Sequence, residues 1–450
     1  MPKMIDSRVS PTDRSYRTVW IDVSDLFWFF DHFKTPSGIQ RLTAEAVAAL
    51  LLVSNRSFRV CLCRVDEGHG RLTAIRPEDM FDLYRRPIRN PARQVAKRSQ
   101  LEKVAAELGR FWMRRVRRRV STVSALTGVS SPEIPARSED VLMCMGSHWV
   151  ISGYADLIDR YRSRGLRFAF LCYDLIPLTH RRWIPKSMQW EFQTWFDRVS
   201  VQADVIMTIS QYTAGRVQRH LSESSKSGSV VTPIRIGHGF PITGGIIRAD
   251  SELPRLPPSL VGPFALYVST IEPRKNHLFL FSVWDRLLEE HGSSMVPQLV
   301  FVGHRGPMVD DLFQQLENTS FLDSKVVVLA DVPDSMLSAL YEECTLALYP
   351  SLAEGFGLPV AEAIMAGAIC VASNKTSIPE VVGDIIDYFD PDDFNEAYRL
   401  IQRALLDDDY RANLRLRAQR FVPRLWSVTA EDILQTIERH IPVSTREVCK

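Results

Sequence analysis

The 450-residue sequence has no run approaching the ~18–20 consecutive apolar residues that span a bilayer; Ala46–Val53 is among its longest apolar stretches. Its start, Met1 to Arg17, is polar and lacks the apolar core of a secretory signal. Cysteine is sparse: seven residues at 61, 63, 144, 172, 344, 370 and 449, with no CxxC pair. That scatter excludes a disulfide framework, argues against a structural zinc, and reads as buried thiols in a reducing compartment. There is no internal repeat and no low-complexity tract. A cytoplasmic protein is therefore expected. Net charge is small too, with Lys+Arg 55 against Asp+Glu 53 for a formal +2. Taken as a sum, that argues against a polyanion-binding protein, but the sum hides an asymmetry. Between Arg85 and Arg119 stand 13 basic residues (11 Arg, 2 Lys) against Glu102 and Glu107, so this stretch carries +11 and the remainder −9.

What is present is ordinary globular composition, 45% hydrophobic and 24% charged, which excludes global disorder. At roughly 100–200 residues per domain the length suggests two or three domains. Short β-branched or aromatic runs alternate with helical patterns almost throughout, the signature of α/β architecture with parallel sheets. In the first half the strand candidates start at Thr18, Phe58, Asp140, Leu166 and Asp204; in the second, at Phe264, Gln298, Lys325, Thr345, Ala368 and Ile386. The Gly- and Pro-rich stretch from Ile236 to Pro263 has no amphipathic period and reads as a linker. The expected organisation is an N-terminal domain over 1–240 and a linker over 241–261. A C-terminal domain over 262–425 follows, then a final helix and tail over 426–450 that pack back on the N-domain. Two doubly wound domains joined in this way face each other across a cleft. Ligands of such sheets bind at the carboxyl ends of the strands.

Three strand-to-helix transitions carry candidate chemistry. Pro350-Ser-Leu-Ala-Glu-Gly-Phe-Gly-Leu-Pro-Val-Ala-Glu362 leaves a strand through a loop with Gly355 and Gly357, and Pro359 marks a first helical turn. The amides of Gly355, Phe356, Gly357, Leu358 and Val360 are expected to converge at a helix N-terminus, a setting suited to an anion or hydroxyl-rich ligand. Glu354 and Glu362 flank the loop, and carboxylates accept paired hydrogen bonds from vicinal hydroxyls. The second transition, from Tyr267 to His277, places Arg274 and Lys275 at a strand's carboxyl end, as phosphate binding requires. The third, Thr35-Pro-Ser-Gly-Ile-Gln-Arg41, opens a helix at Ser37 and Gly38 in the other half. Taken singly, each has a plainer reading as a cap or a solvated loop. Together they fit a nucleoside diphosphate-sugar lying in the cleft.

The segment from Tyr267 to about Pro391 resembles the donor domain of the retaining glycosyltransferases of family 4, the group 1 glycosyltransferases with the GT-B fold. The motifs that carry the resemblance are YVSTIEPRKN, LVFVG, LYPSLAEGFGLPVAEAIMAG, SNKTSIPEVVGD and YFDP. SGIQR, YDLIPLTHRRW and ADVIMTISQYTAGRVQ in the first half resemble the branch that builds bacterial surface polysaccharides. The resemblance implies that Arg274 and Lys275 bind the diphosphate and Glu362 the ribose hydroxyls. Glu354 and the amides of Gly355 to Leu358 would hold the donor sugar, and Gly38 would lend an amide from the acceptor side. Many family members place a His near the sugar; here the matching strand end reads Cys172-Tyr173-Asp174, with His180 beyond it, and Asp174 takes that place. The implied catalytic set is Asp174, Glu354, Arg274 and Lys275.

The implied reaction moves a sugar, with mannose carried on GDP as the first choice, to a glycan or lipid-linked saccharide in polysaccharide biosynthesis. It proceeds with retention by front-face substitution and without metal or other cofactor. Asp390-Pro-Asp392 reads as a turn of helix-capping acids rather than a metal-binding DxD. The rivals are a catalytically silent scaffold of the same fold, a nucleotide-sugar epimerase, or a phosphorylase; no pyridoxal-phosphate lysine can be placed for the last. In the basic stretch, Leu101, Val104, Ala105, Leu108, Phe111, Trp112 and Val116 recur at helical spacing among Arg and Lys. This reads as an amphipathic helix on an anionic inner membrane surface. The other readings are a helix packed on the N-domain or a nucleic-acid contact, and no nucleic-acid motif accompanies the charge.

Overall fold

The computed structural model describes residues 16–32, 38–53, 57–84, 93–94, 132–224, 228–239 and 256–442. In chain order the strands are β1 (Arg17–Asp22), β2 (Phe58–Asp66), β3 (Arg71–Ile75), β4 (Arg93–Gln94), β5 (Val141–Cys144), β6 (Arg167–Cys172) and β7 (Val205–Thr208). There follow β8 (Val230–Pro233), β9 (Phe264–Val268), β10 (Gln298–Val302), β11 (Val326–Ala330), β12 (Leu346–Tyr349), β13 (Cys370–Ser373) and β14 (Asp387–Phe389). They form two seven-stranded sheets, ordered β3-β2-β1-β5-β6-β7-β8 and β14-β13-β12-β9-β10-β11-β4. In the first sheet only β2–β3 is antiparallel, and in the second only β11–β4. Val141–Cys144, Val205–Thr208, Gln298–Val302 and Leu346–Tyr349 are buried along their whole length, as parallel strands covered on both faces must be.

Each sheet reverses its strand order once, at β1 in the first and at β9 in the second. β1 lies between β2 and β5, and β9 between β10 and β12. The gap left above such a reversal is where open α/β sheets bind ligands. The helices that follow β9 and β12 open at that gap in the second sheet.

Three edge strands depart from the expected set. β3 is the return arm of a hairpin with β2, β8 extends the first sheet, and β4 adds to the second sheet although it comes from the first half of the chain. That last strand is the described part of the basic stretch. The amphipathic helix expected there, like most of the linker, lies outside the described residues. Among the described residues no helix is long and apolar enough to cross a membrane.

The last helix, Trp426–His440, repeats apolar residues at Trp426, Ala430, Ile433, Leu434 and Ile437, one face of a helical period. All five are buried, and the helix packs along helix Gly38–Leu52 of the first domain. Each fully buried Leu or Ile contributes about 1.5–3 kcal/mol. Arg17 donates to Ile441 O at 2.7 Å, and Arg235 pairs with Asp432 at 2.6 Å. A Cβ on Gly237 would lie 2.6 Å from the Trp426 ring, so the crossing is close enough to require glycine there.

Candidate active site in the cleft

β9 empties into a short turn, Pro273–Lys275, which ends on Asn276 with φ 61° before helix His277–His291 begins. β12 empties into the Gly loop, which ends on Gly357 with φ 108° before helix Leu358–Met365. The two loops are laced together. Leu352 N donates to Arg274 O at 2.7 Å, Asn276 Nδ2 to Pro350 O at 3.3 Å, and Tyr267 Oη to Lys275 O at 2.7 Å.

This lacing brings together three of the expected site residues. Lys275 Nζ donates to Glu354 Oε1 at 2.5 Å, and Arg274 Nη1 to Glu354 Oε2 at 3.0 Å and Ala353 O at 2.8 Å. Arg274 also pairs with Glu272 at 2.6 Å. Burial would raise the Glu354 carboxyl, but Lys275 and Arg274 hold it down at about 2. Burial works to lower the Arg274 pKa, and Glu272 and Glu354 more than offset it. Burial lowers the Lys275 ammonium despite its partner. The two cations are therefore already committed within the protein. Glu354 and Glu272 already partner them, because a buried cation without a partner is far costlier than a paired one.

The Gly loop touches the opposite domain. A Cβ on Gly355 would lie 2.4 Å from Tyr173 O and 3.2 Å from Asp174 Cβ, so only glycine fits. Phe356 and Leu358 turn their side chains into the core. Ser377 Oγ donates to Glu354 O at 2.8 Å and Thr376 Oγ1 accepts from Glu354 N at 2.9 Å, fixing the loop from beneath. Val360 N is already bonded to Gly357 O, so it does not join the converging amides as expected.

Glu362 stands apart from Glu354. It lies on the helix beyond the loop, where Tyr341 Oη donates to it at 3.4 Å. Burial pushes its carboxyl up to about 7, against the pull of nearby Arg41. Arg41 follows Gly38 on the facing helix and pairs with Asp334 of the second domain. A Cβ on Gly38 would meet nothing within 4 Å, so the helix start is open-faced. A second bridge between the domains comes from Glu380, whose carboxylate accepts from Gln211 N and Tyr212 N at 2.7 and 2.8 Å. Asp174 follows β6 and lines a cavity with Glu272 and Arg274. Its carboxylate accepts from Ile176 N at 2.8 Å, and burial raises its pKa against the influence of Arg274. Lys375 Nζ lies 2.7 Å from Asp390 and 2.9 Å from Asp392, while Asp393 caps the next helix through Glu396 N.

One cluster escaped sequence reasoning. At the reversal of the first sheet, Asp22, Asp25 and His148 are buried together. Asp22 accepts from Ser24 N at 2.9 Å and Tyr154 Oη at 2.6 Å, and lies 3.4 Å from His148 Nε2. Asp25 accepts from Ser147 N at 3.0 Å. Burial would lower the His148 imidazole; Cys144 and the Asp22 carboxylate beside it hold it well above its usual value. Burial in turn pushes the Cys144 thiol up. The signal that could have found this cluster is Asp22-Val-Ser-Asp25, two acids at the carboxyl end of an apolar strand.

The two-domain frame matches GT-B glycosyltransferases of known structure. Sucrose-phosphate synthase from Thermosynechococcus elongatus superposes over 94% of this chain and 98% of its own, with TM-score 0.53 and 15% identity. HepE from Anabaena, solved with UDP and glucose, does so over 94% and 100%, with TM-score 0.53 and 13% identity. The fold is GT-B. Residues 255–421 match the model of the family described as glycosyl transferases group 1. The match takes in the second domain of the chain. The O-antigen chain mannosyltransferase B of Escherichia coli is 32% identical over 245 residues, 54% of this chain and 60% of that protein. The serotype-specific mannosyltransferase WbdA of Escherichia coli is 30% identical over 249 residues, 55% of this chain and 30% of that protein. The chain thus spans between about a third and three-fifths of these relatives' length.

Proposed function

We propose that this chain is a retaining glycosyltransferase that moves a hexose from a nucleoside diphosphate-sugar to a glycan or lipid-linked saccharide in the building of a surface polysaccharide. Mannose carried on GDP is the first choice of donor, since the relatives similar to this chain are mannosyltransferases. The observation that carries the reading is the convergence of Arg274 and Lys275 on Glu354 where the strand order of the second sheet reverses.

The chemistry follows from charge. The transition state has oxocarbenium character on the sugar, and negative charge builds on the departing diphosphate. In this reading Arg274 and Lys275 stabilise that charge by electrostatics fixed before the reaction. Glu354 and Glu272 hold the two cations until the diphosphate takes over part of their pairing. Glu354 and the loop amides from Gly355 to Leu358 then orient the sugar, Glu362 takes the ribose hydroxyls, and Gly38 faces the diphosphate from the opposite domain. Asp174 supplies negative charge on the acceptor side, and the leaving phosphate accepts the acceptor's proton in a front-face substitution. Arg85–Arg119 is assigned to an anionic inner membrane surface; charge reversal at Arg114, Arg115, Arg117 and Arg118 should release the protein from anionic liposomes.

The test is turnover of GDP-, UDP- and dTDP-sugars by the purified chain with membrane saccharide extract as acceptor, the product's anomeric configuration read by NMR. One nucleotide-sugar should be consumed with retention. Consumption of none, or an inverted product, rejects the reading.

A further inference from the structure

The turn Arg181–Trp183 and the helix after it, Lys186–Gln202, carry a basic and aromatic surface that the cleft chemistry does not use. Lys186, Gln189, Trp190 and Gln193 stand at i, i+3, i+4 and i+7, so they share one helix face. Two of them pin the turn to that face. Gln189 Nε2 donates to Arg181 O at 2.7 Å and to Ile184 O at 2.6 Å, and Gln193 Oε1 accepts from Arg181 Nη2 at 3.2 Å. The Arg182 guanidinium lies 4.3 Å from the centroid of the Trp183 ring, and the His180 ring stacks on Trp183 at 5.4 Å. The surface is thus ordered before anything binds.

Trp190 is 70% exposed, the most exposed aromatic side chain among the described residues. Arg181, Arg182 and Lys186 are exposed near it, and none of the three pairs with a carboxylate among the described residues. Arg162, Arg164 and Arg198 of the same domain each do. Glu191 falls on a different face of the helix, and Asp197, further along the shared face, is taken by His220 at 3.2 Å.

Like charges held together repel one another, and an exposed indole forgoes the burial that favours a large ring. Neither feature contributes to folding, and one partner answers both. Lipid phosphates neutralise Arg and Lys, while an indole settles at headgroup level with its ring in the apolar boundary. A soluble anion would leave the indole in water, and a purely apolar partner would desolvate the cations.

We propose that this face is a membrane-docking surface, in which Arg181, Arg182 and Lys186 bind anionic phospholipid headgroups and Trp190 enters the headgroup layer. The proposal goes beyond the transferase reading and rests on residues separate from Arg85–Arg119. Two separate contacts fix which side of the molecule faces the bilayer, where one alone lets it pivot.

The full-length chain, without donor or acceptor, is sedimented with phosphatidylcholine vesicles with and without phosphatidylglycerol. Wild type should bind only the anionic vesicles, and brominated acyl chains should quench part of its Trp fluorescence. Arg181→Gln, Arg182→Gln and Lys186→Gln combined should weaken binding about 100-fold, at roughly fivefold per cation. Trp190→Ser should weaken it about tenfold, and Trp190→Phe should bind yet lose the quenched component. Thermal melts should not move in any of them. Wild type that ignores anionic vesicles overturns the proposal, as does binding that survives the triple substitution and is lost only on charge reversal at Arg114, Arg115, Arg117 and Arg118. If the triple variant loses a single-stranded oligonucleotide instead of vesicles, the surface is a nucleic-acid site and the proposal falls. No readout here uses turnover, so failure of the transferase reading would leave these outcomes standing.

Discussion

Both sheets place charge at the point where their strand order reverses, beside β1 and beside β9, but they use it differently. In the second sheet the side chains of Arg274, Lys275 and Glu354 keep 18%, 10% and 7% exposure and line or adjoin the cleft. In the first, Asp22 and His148 keep none. Charge that retains a path to solvent can trade its protein partner for a ligand. Sealed charge cannot, and it acts as a brace. A topological switch point thus attracts polar residues for two separate reasons, and residual exposure tells them apart.

The comparison can be broken most directly at Lys275. Lys275→Ala should lower turnover about 100–1,000-fold, as loss of an oxyanion-stabilising donor does. It should also lower unfolding free energy by roughly 3–5 kcal/mol, because Glu354 loses a buried partner. Steady-state kinetics and denaturant melts read both, and normal turnover in the folded variant would remove Lys275 from the site. His148→Ala should show a stability loss of similar size, about 3–5 kcal/mol, with GDP affinity unchanged. A folded His148→Ala variant that cannot bind nucleotide would erase the distinction between brace and site.

A smaller effect should come from Glu362. Its carboxyl titrates at about 7 when folded against an ordinary 4.5. Between those values the unfolded chain gives up the proton first, so this group's effect on stability becomes less favourable as pH rises through the window and levels off above 7. In the proposed reading the ribose hydroxyls need the Glu362 carboxylate, so donor KM should fall roughly tenfold from pH 6 to pH 8. Glu362→Gln should flatten that profile; an unchanged profile would place the titration elsewhere. The smallest effect should come from Asp334→Ala, which frees Arg41 from its partner across the cleft. About 1 kcal/mol or less, seen as a few-fold rise in donor KM, is expected of such a pair.

Arg274, Lys275, Glu354 and Glu362 were legible because each sits in a local strand–loop–helix signal that Gly and Pro punctuate. Their partnerships were not. Lys275 and Glu354 are 79 residues apart, Asp25 and Ser147 122, and Arg41 and Asp334 293. Pairings at such separations are set by which strands become neighbours, and periodicity carries no record of that. The long buried strands were readable as apolar runs. β4, with two residues, and β8, four residues of which none is fully buried, were not, because an edge strand is held by backbone pairing to its neighbour rather than by its side chains.

The return of helix Trp426–His440 to the first domain has a consequence during synthesis. The first domain's own described residues end at Gly239, yet one face of helix Gly38–Leu52 packs against helix Trp426–His440. At about 5–20 residues per second, the ribosome needs on the order of 10–40 s to make the intervening chain. Throughout that interval the nascent first domain carries an uncovered apolar strip. The last helix therefore acts as the closing step of biogenesis, and a ribosome that stalls before it leaves a sticky, half-covered domain rather than a finished one.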